Sequence, residues 1–497
     1  MATRAQSPVR TWSPAYLRPV FYLIGGMLMV LAVAMLLPAA VDAATGHPQW
    51  RGFLLSSAAA FACGAALRYA ARCDLADGLT LRQAFMLTPF AWLIITLFSA
   101  VPLHLSGYAQ LQSFTNAFYE AMSGLTTTGG TVIVGLDAAP PGVLLWRALL
   151  QWMGGIGIIA VAIAILPALG VGGMQLFRTE SSDRSEKVLP RVRAIASTIG
   201  LIYVGLTVAC GIAYALAGMT PFDAIAHALT TVATGGLSTA DASLSHWKSP
   251  TIEAIAIVFM LLGALPFAVY VGLLRGNWHM LRNSQIWTLL AFCVVVAVLL
   301  AGWLVASGRY GVGEALRHAV FNVVSVVTTC GFASADYSLW GNAAIGIFFG
   351  LLFVGGCTGS TSGGIKIFRF EVMARLLRAH FLQLIHPRGV FPRVYGGRPL
   401  PDDVVGSVVV FFSLYFICYG AFTVALMALD LDFLTSASAA VAALSNAGPG
   451  LGPIIGPAGT FAPLPDAAKW LLCFGMLLGR LELFAVLILF VPRFWRG

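Results

Sequence analysis

The sequence predicts an all-α polytopic membrane protein. About ten transmembrane helices are expected: two extra N-terminal helices, then four pseudo-symmetric repeats of helix, loop and helix. Three observations predict this. Of 497 residues, 59% are hydrophobic and only 10% charged, with a mean hydropathy of +0.87, whereas a soluble domain carries about 25% charged residues. Ten apolar runs reach the ~20 residues needed to cross a hydrocarbon core as a helix. A short Thr/Gly-ended segment recurs four times between such runs. The first observation alone excludes an ordinary cytosolic enzyme.

The runs cover 19–41, 51–71, 84–106, 143–167, 194–218, 251–274, 286–307, 341–365, 404–429 and 467–491. Most carry Gly and other small residues, as helices that pack closely in lipid do. The first follows Arg4, Arg10 and Arg18. It is too long for the apolar region of a cleaved signal, and more spans follow, so it is a retained helix.

The charges set an orientation. The chain has 29 Lys+Arg against 20 Asp+Glu, a net +9. Of the basic residues, 22 fall on the side that holds the N-terminus. By the positive-inside rule that side is cytoplasmic, and an even number of spans returns the C-terminus to it. The excess charge therefore records topology, with no nucleic acid as partner. Eleven of the 20 acids fall on the opposite side, where they would concentrate cations. The eight cysteines show neither metal-ligand spacing nor a disulfide framework.

The repeated segments are 114–131 (FTNAFYEAMSGLTTTGGT), 222–239 (FDAIAHALTTVATGGLST), 314–334 (EALRHAVFNVVSVVTTCGFAS) and 433–450 (FLTSASAAVAALSNAGPG). Aligned on Gly129, Gly235, Gly331 and Gly448, they lie 106, 96 and 117 residues apart. Each reads as a short amphipathic helix followed by a Thr/Gly loop. The chain accordingly divides into an N-terminal two-helix region, 1–80, and repeats at 81–190, 191–283, 284–400 and 401–497. Non-helical backbone at membrane depth survives only inside protein or along a water-filled path. Four such loops around one ion pore can offer rings of backbone carbonyls in place of a cation's hydration shell. Gly permits the backbone conformations this needs. The candidate filter residues are Thr127, Thr128 and Gly129; Ala233, Thr234 and Gly235; Thr329, Cys330 and Gly331; and Asn446, Ala447 and Gly448. No ring of four carboxylates is present, so the pattern points to K⁺ or Na⁺ rather than a divalent cation.

At these residues the sequence resembles the superfamily of potassium transporters, most closely the bacterial Trk-type potassium uptake pore subunits. The resemblance covers essentially the whole chain. It rests on TTTGGT (126–131), QWMGGIGI (151–158), ILPALGVGGMQL (165–176), GGCTGSTSGGIK (355–366), NAGPGLG (446–452) and GRLE (479–482). It implies K⁺ uptake by a homodimer in the bacterial inner membrane, with one pore per subunit. It further implies a cytosolic regulatory subunit with Rossmann-like nucleotide-binding domains. The TVGYG run of tetrameric potassium channels is absent, and a shorter filter implies modest selectivity over Na⁺ or Rb⁺. Asn446 and Pro449 set the fourth repeat apart.

Two gate candidates follow. GGCTGSTSGGIK fails as a Walker A loop because Ile365 separates Gly364 from Lys366, and as a nucleophile elbow because Thr361 stands at its centre. Gly355, Gly356, Thr358, Gly359, Ser360, Thr361, Gly363 and Gly364 instead break the eighth run, since Gly costs up to ~1 kcal/mol in a helix. The alternatives are a structural kink or, as the resemblance implies, an intramembrane loop that blocks the pore. Arg480 is a charge inside a span, which costs at least ~2.5 kcal/mol and usually faces a cavity. Its neighbour Glu482, two residues on, does not share its helix face. Arg480 reads either as a barrier lining the pore below the filter or as half of a buried ion pair. The basic stretch 366–398 suits lipid headgroups or a docked regulatory subunit. Competing functions are a weakly selective or Na⁺/H⁺-coupled symporter and a lipid-directed membrane enzyme. His104, His227, His246 and His318 form no metal-ligand motif, so no enzyme is expected, and no organic cofactor on this chain.

Overall fold

A computed structural model of the chain describes residues 14–74, 78–164 and 188–496. The motif 165–176 and most of the loop around it lie outside the described residues. Two long helices, Pro14–Ala44 and Trp50–Ala70, come first. They cross where Gly25 faces Gly64: a Cβ on either would lie 2.6–2.7 Å from the other's carbonyl oxygen. Small residues at a crossing are how helices approach closely where no hydrophobic force drives them together. Asp42, near the end of the first helix, accepts a hydrogen bond from Gly142 N at 2.6 Å, tying the pair to the first repeat.

Each repeat has a leading helix, a pore helix and a returning segment. The leading helices are Leu81–Leu105, Val188–Leu216, Ser284–Ala306 and Asp402–Met427. The pore helices are Phe114–Leu125, Pro221–Val232, Val312–Val327 and Phe433–Ser445. Local chemistry sets several starts. Thr80 and Gln83 form a capping box, Thr220 caps a helix with Pro221 in its first turn, and Asp432 accepts from Thr435 N at 3.0 Å. Such caps satisfy amide groups a helix start leaves orphaned.

The returning segments depart from the sequence expectation of four straight spans. Only Pro141–Ala164 is continuous. In the second repeat, Pro250–Ala264 meets Phe267–Leu274 at 88°. Leu265 is extended there (φ −81°, ψ 156°), as the residue before Pro266 prefers. In the third, helix Asn342–Leu351 is ten residues long and is followed by irregular chain up to Ile367–Ile385. In the fourth, Asp466–Arg480 turns by 110° into Phe484–Phe490, with Glu482 and Leu483 at φ 56° and 58°. Thus runs 251–274, 341–365 and 467–491 are apolar enough to span but are not single helices.

Two apolar cores flank the centre. One joins the N-terminal pair to repeats one and four through Leu28, Phe53, Trp146 and Met476; the other joins repeats two and three through Tyr203, Phe267, Leu300 and Phe348. The pore helices sit between them with their C-terminal ends buried. Three of those ends rest against a glycine: a Cβ on Gly154, Gly263 or Gly479 would lie 1.8, 2.7 and 2.1 Å from the carbonyls of Leu125, Val232 and Leu444.

Candidate ion pathway

All four pore helices end in the same turn. In the first, Thr127 N donates to Gly124 O (2.9 Å) and Thr128 N to Ser123 O (2.8 Å). The same two bonds recur from Thr234 and Gly235, from Thr329 and Cys330, and from Asn446 and Ala447. This is the paired pattern of a Schellman cap, whose first residue outside the helix takes the left-handed conformation. Thr127, Thr234, Thr329 and Asn446 do so, at φ 53°, 51°, 58° and 52°. Glycine usually fills that position; a threonine there is strained, by roughly 1–3 kcal/mol. Asn tolerates it best among the other residues, which accounts for Asn446.

The cap corrects the register of the second repeat. Two residues after each left-handed position comes a glycine with φ between 75° and 88°: Gly129, Gly236, Gly331 and Gly448. The equivalent trio is therefore Thr234–Gly235–Gly236, not Ala233–Thr234–Gly235. Ala233 is the last residue before the turn, matching Thr126 and Ser445. Gly235 and Gly236 stand side by side, so glycine content alone could not set the register.

The middle residues of the four trios close a ring. A Cβ on Gly129 would lie 2.1 Å from Gly235 O, one on Gly236 1.9 Å from Cys330 O, one on Gly331 3.0 Å from Ala447 O, and one on Gly448 3.2 Å from Thr128 O. Each glycine thus faces the carbonyl of the next repeat, and the fourth returns to the first. No side chain separates the four strands at this level.

The glycine-rich chain of the third repeat packs directly against this turn. Gly363 N donates to Thr329 Oγ1 (2.7 Å), and Ser362 Oγ lies 3.2 Å from the same oxygen. Thr361 Oγ1 is hydrogen-bonded to Thr234 Oγ1 (3.0 Å) and reaches Gly263 O at 3.0 Å. The hydroxyls of two left-handed threonines are therefore engaged by residues 361–363. Thr127 Oγ1 and Asn446 Oδ1 have no partner among the described residues. Gly359 and Gly364 have positive φ (79° and 66°), and a Cβ on Gly355 or Gly363 would meet Gly363 O or Ser445 O at 2.0–2.1 Å. Gly356 N donates to Ser362 Oγ, Ser360 Oγ to Cys357 O, and Thr358 N to Gln285 Oε1.

Arg480 is buried and reaches the same chain. Its two terminal nitrogens donate to Thr361 O (2.8 Å) and Gly154 O (2.9 Å), while Nε has no partner. No carboxylate pairs with it among the described residues. Glu482 instead pairs with Arg369 at the start of the helix that follows the glycine-rich chain. Lys366 closes that chain by donating to Ser362 O. Arg480 thus joins the returning segments of repeats one, three and four.

The TrkH family of cation transport proteins matches residues 51–496. The chain belongs to this family. It is 46% identical over 495 residues to the Trk system potassium uptake protein TrkI of Halomonas elongata, spanning 99% of each chain. Identity to the Trk system potassium uptake protein TrkH of Escherichia coli K12 is 36% over 490 residues, covering 97% of this chain and all of that one. The crystal structure of the potassium transporter TrkH from Vibrio parahaemolyticus superposes with a TM-score of 0.89, at 35% identity, over 96% of this chain and 99% of that one. The TrkH family consists of transporters, not enzymes.

In this TrkH-family chain the sequence pattern missed the struts behind the ring. The residue seven before each left-handed position ties its pore helix to the strand beyond the turn in three repeats. Glu120 accepts from Thr131 Oγ1 (2.9 Å) and Val132 N (2.9 Å), His227 is hydrogen-bonded to Ser238 Oγ (2.9 Å), and Asn322 donates to Ser334 Oγ (2.9 Å). In the fourth, Ser438 accepts from Leu451 N at 2.9 Å. Glu120 also receives Arg147 Nε at 2.6 Å, both being fully buried, and Arg147 reaches across to Ser238 O at 3.1 Å. Arg147 lies inside an apolar run, as Arg480 does. The reasoning that singled out Arg480 applies to it equally.

Proposed function

We propose that the protein takes up potassium through a channel-like pore, with K⁺ as the transported ion held by the carbonyls of Thr128, Gly235, Cys330 and Ala447. The closed ring of glycine-to-carbonyl approaches carries this reading. Carbonyl dipoles from four strands can replace the hydration shell of a monovalent cation, and the glycines remove the side chains that would keep those strands apart. Thr127, Thr234, Thr329 and Asn446 stand one residue below. The ring is short, and its fourth corner carries Asn446, so discrimination against Na⁺ and Rb⁺ is modest.

Residues 355–364 then act as the gate, since they lie on two of the four left-handed residues, Thr234 and Thr329. Arg480 holds the gate through Thr361 O and places a positive charge below the filter. The relatives' names as parts of Trk systems support a partner protein; we take it to be a cytosolic nucleotide-binding regulatory subunit, with the helix Ile367–Ile385 that continues the gate as its handle. Placement of both termini in the cytoplasm fits the distribution of basic residues, and the homodimer in a bacterial inner membrane is carried by the family resemblance alone. The repeat boundaries at 81–190, 191–283, 284–400 and 401–497 fit the recurrence of leading, pore and returning elements. Purified protein in liposomes tests the reading: K⁺ flux down its gradient is expected without a pH or Na⁺ gradient. Exclusion of K⁺, or strict dependence on H⁺ or Na⁺, would overturn it.

A further inference from the structure

The motif QWMGGIGI begins with Gln151, one helical turn after Arg147 on the returning helix of the first repeat. Gln151 is fully buried. Its Nε2 donates to Gly235 O at 2.6 Å and its Oε1 accepts from Leu237 N at 3.1 Å. Gly235 O belongs to the ring. Among the described residues, no hydrogen bond reaches the other three ring carbonyls, those of Thr128, Cys330 and Ala447. One ring carbonyl is therefore held by a side chain from another repeat and three are not, although the Thr128 hydroxyl accepts from Asn446 Nδ2 of the fourth repeat at 2.9 Å.

The sequence of that corner fits its neighbour. Thr128, Cys330 and Ala447 carry side chains at the ring position; Gly235 does not. A Cβ on Gly235 would lie 2.3 Å from Gln151 Cδ and 2.5–2.6 Å from its amide oxygen and nitrogen. The φ of Gly235 is not in the left-handed region, so the backbone there does not itself demand glycine. The glycine leaves room for the Gln151 amide, and a side chain there would have to displace it. A bare glycine flanked by Gly236 would also be the loosest corner of the ring. The two-point amide clamp on residues 235 and 237 removes that freedom.

We propose that Gln151 is a positioning residue for ion selection: it fixes the Gly235 carbonyl so that four carbonyls present one uniform ring. The proposal rests on the reading of these carbonyls as the ion site. Losing the clamp lets one carbonyl turn and narrows the difference between K⁺ and Na⁺, because discrimination depends on the number and field of coordinating dipoles. Removal of one such hydrogen bond corresponds to about a threefold to tenfold change in a ratio of this kind.

The test compares full-length wild type, Gln151→Met and Gly236→Ala in liposomes, reading K⁺ and Na⁺ flux separately. Met preserves length and volume but neither donates nor accepts at these positions. The expected result is retained K⁺ flux in Gln151→Met with the K⁺/Na⁺ ratio lowered about threefold to tenfold, and loss of K⁺ flux in Gly236→Ala. A packing role alone would lower both fluxes together and leave their ratio unchanged, which overturns the proposal while the loss in Gly236→Ala keeps the ion-site reading. Unchanged flux and ratio in Gly236→Ala would overturn the ion-site reading itself. Should Gln151→Met fail to assemble, Gln151→Asn reads the same ratio, since its shorter amide cannot span both Gly235 O and Leu237 N. An unchanged ratio there overturns the proposal in the same way.

Discussion

The four repeats agree closely at the ends of their pore helices and disagree below them. At the turn, two hydrogen bonds, one left-handed residue and one glycine recur four times, with φ values of the left-handed residues spread over only 51–58°. Below it, one returning segment is a straight helix, two are bent by 88° and 110°, and one unwinds after ten residues. The proposed ion site demands equivalence, because each strand would bring its carbonyl to the same point. The proposed gate demands the reverse, since a plug would come from one side. The repeat that unwinds does not seat its own pore helix against a glycine as Gly154, Gly263 and Gly479 do; its residues contact the second and third trios and the end of the fourth pore helix instead.

Breaking the symmetric half has the largest predicted consequence. Gly236→Ala combines a positive φ of 75° with a Cβ 1.9 Å from Cys330 O. K⁺ flux should fall at least tenfold in protein that still elutes as a single species. Gly205→Ala in the second leading helix, where nothing lies within 4 Å, should leave flux unchanged and raise stability by about 0.5–1 kcal/mol. Equal flux in the two variants would remove the distinction between ring glycines and helix glycines.

The strut behind the ring ranks next. Arg147→Ala leaves Glu120 buried without its cation, and breaking such a pair costs about 3–5 kcal/mol. Its thermal midpoint should fall clearly, while Glu120→Gln combined with Arg147→Met should recover much of that loss. Failure of the double variant to recover would show that the pair does more than balance charge.

The asymmetric half should respond in the opposite direction. Arg480→Ala deletes two charge-assisted hydrogen bonds, one of them to Thr361 O, each worth about 1.5–3 kcal/mol when fully desolvated. With the loop released and the positive charge gone, K⁺ flux should rise severalfold. Unchanged flux at normal expression would mean that Arg480 neither holds the loop nor impedes the ion. The smallest effect is expected of Thr127→Asn, which places in the first repeat the residue used in the fourth. It should relieve strain at φ 53°, with stability equal to wild type or up to about 1 kcal/mol higher.

Spans and repeats were legible because apolarity and recurrence are written directly in the residues. The Asn446 corner was visible as an exception, and its cause is the left-handed position that Asn tolerates. Three things were hidden. The two adjacent glycines at 235 and 236 left the register of the second repeat open by one residue, and only the helix cap settles it. The bends differ among themselves: Pro266 announces the first, whereas nothing in GRLEL marks the turn at Glu482 and Leu483. Arg147 and Glu120 pair across 27 residues of chain, a separation that no sequence spacing announces.

The central claim, that Thr128, Gly235, Cys330 and Ala447 form one carbonyl ring around K⁺, is tested most directly by locating the ion. Crystals grown in Rb⁺ or Tl⁺ should show an anomalous peak on the axis, equidistant from the four carbonyl oxygens and diminished by competing K⁺. Anomalous peaks elsewhere in the protein with none inside the ring would contradict the claim.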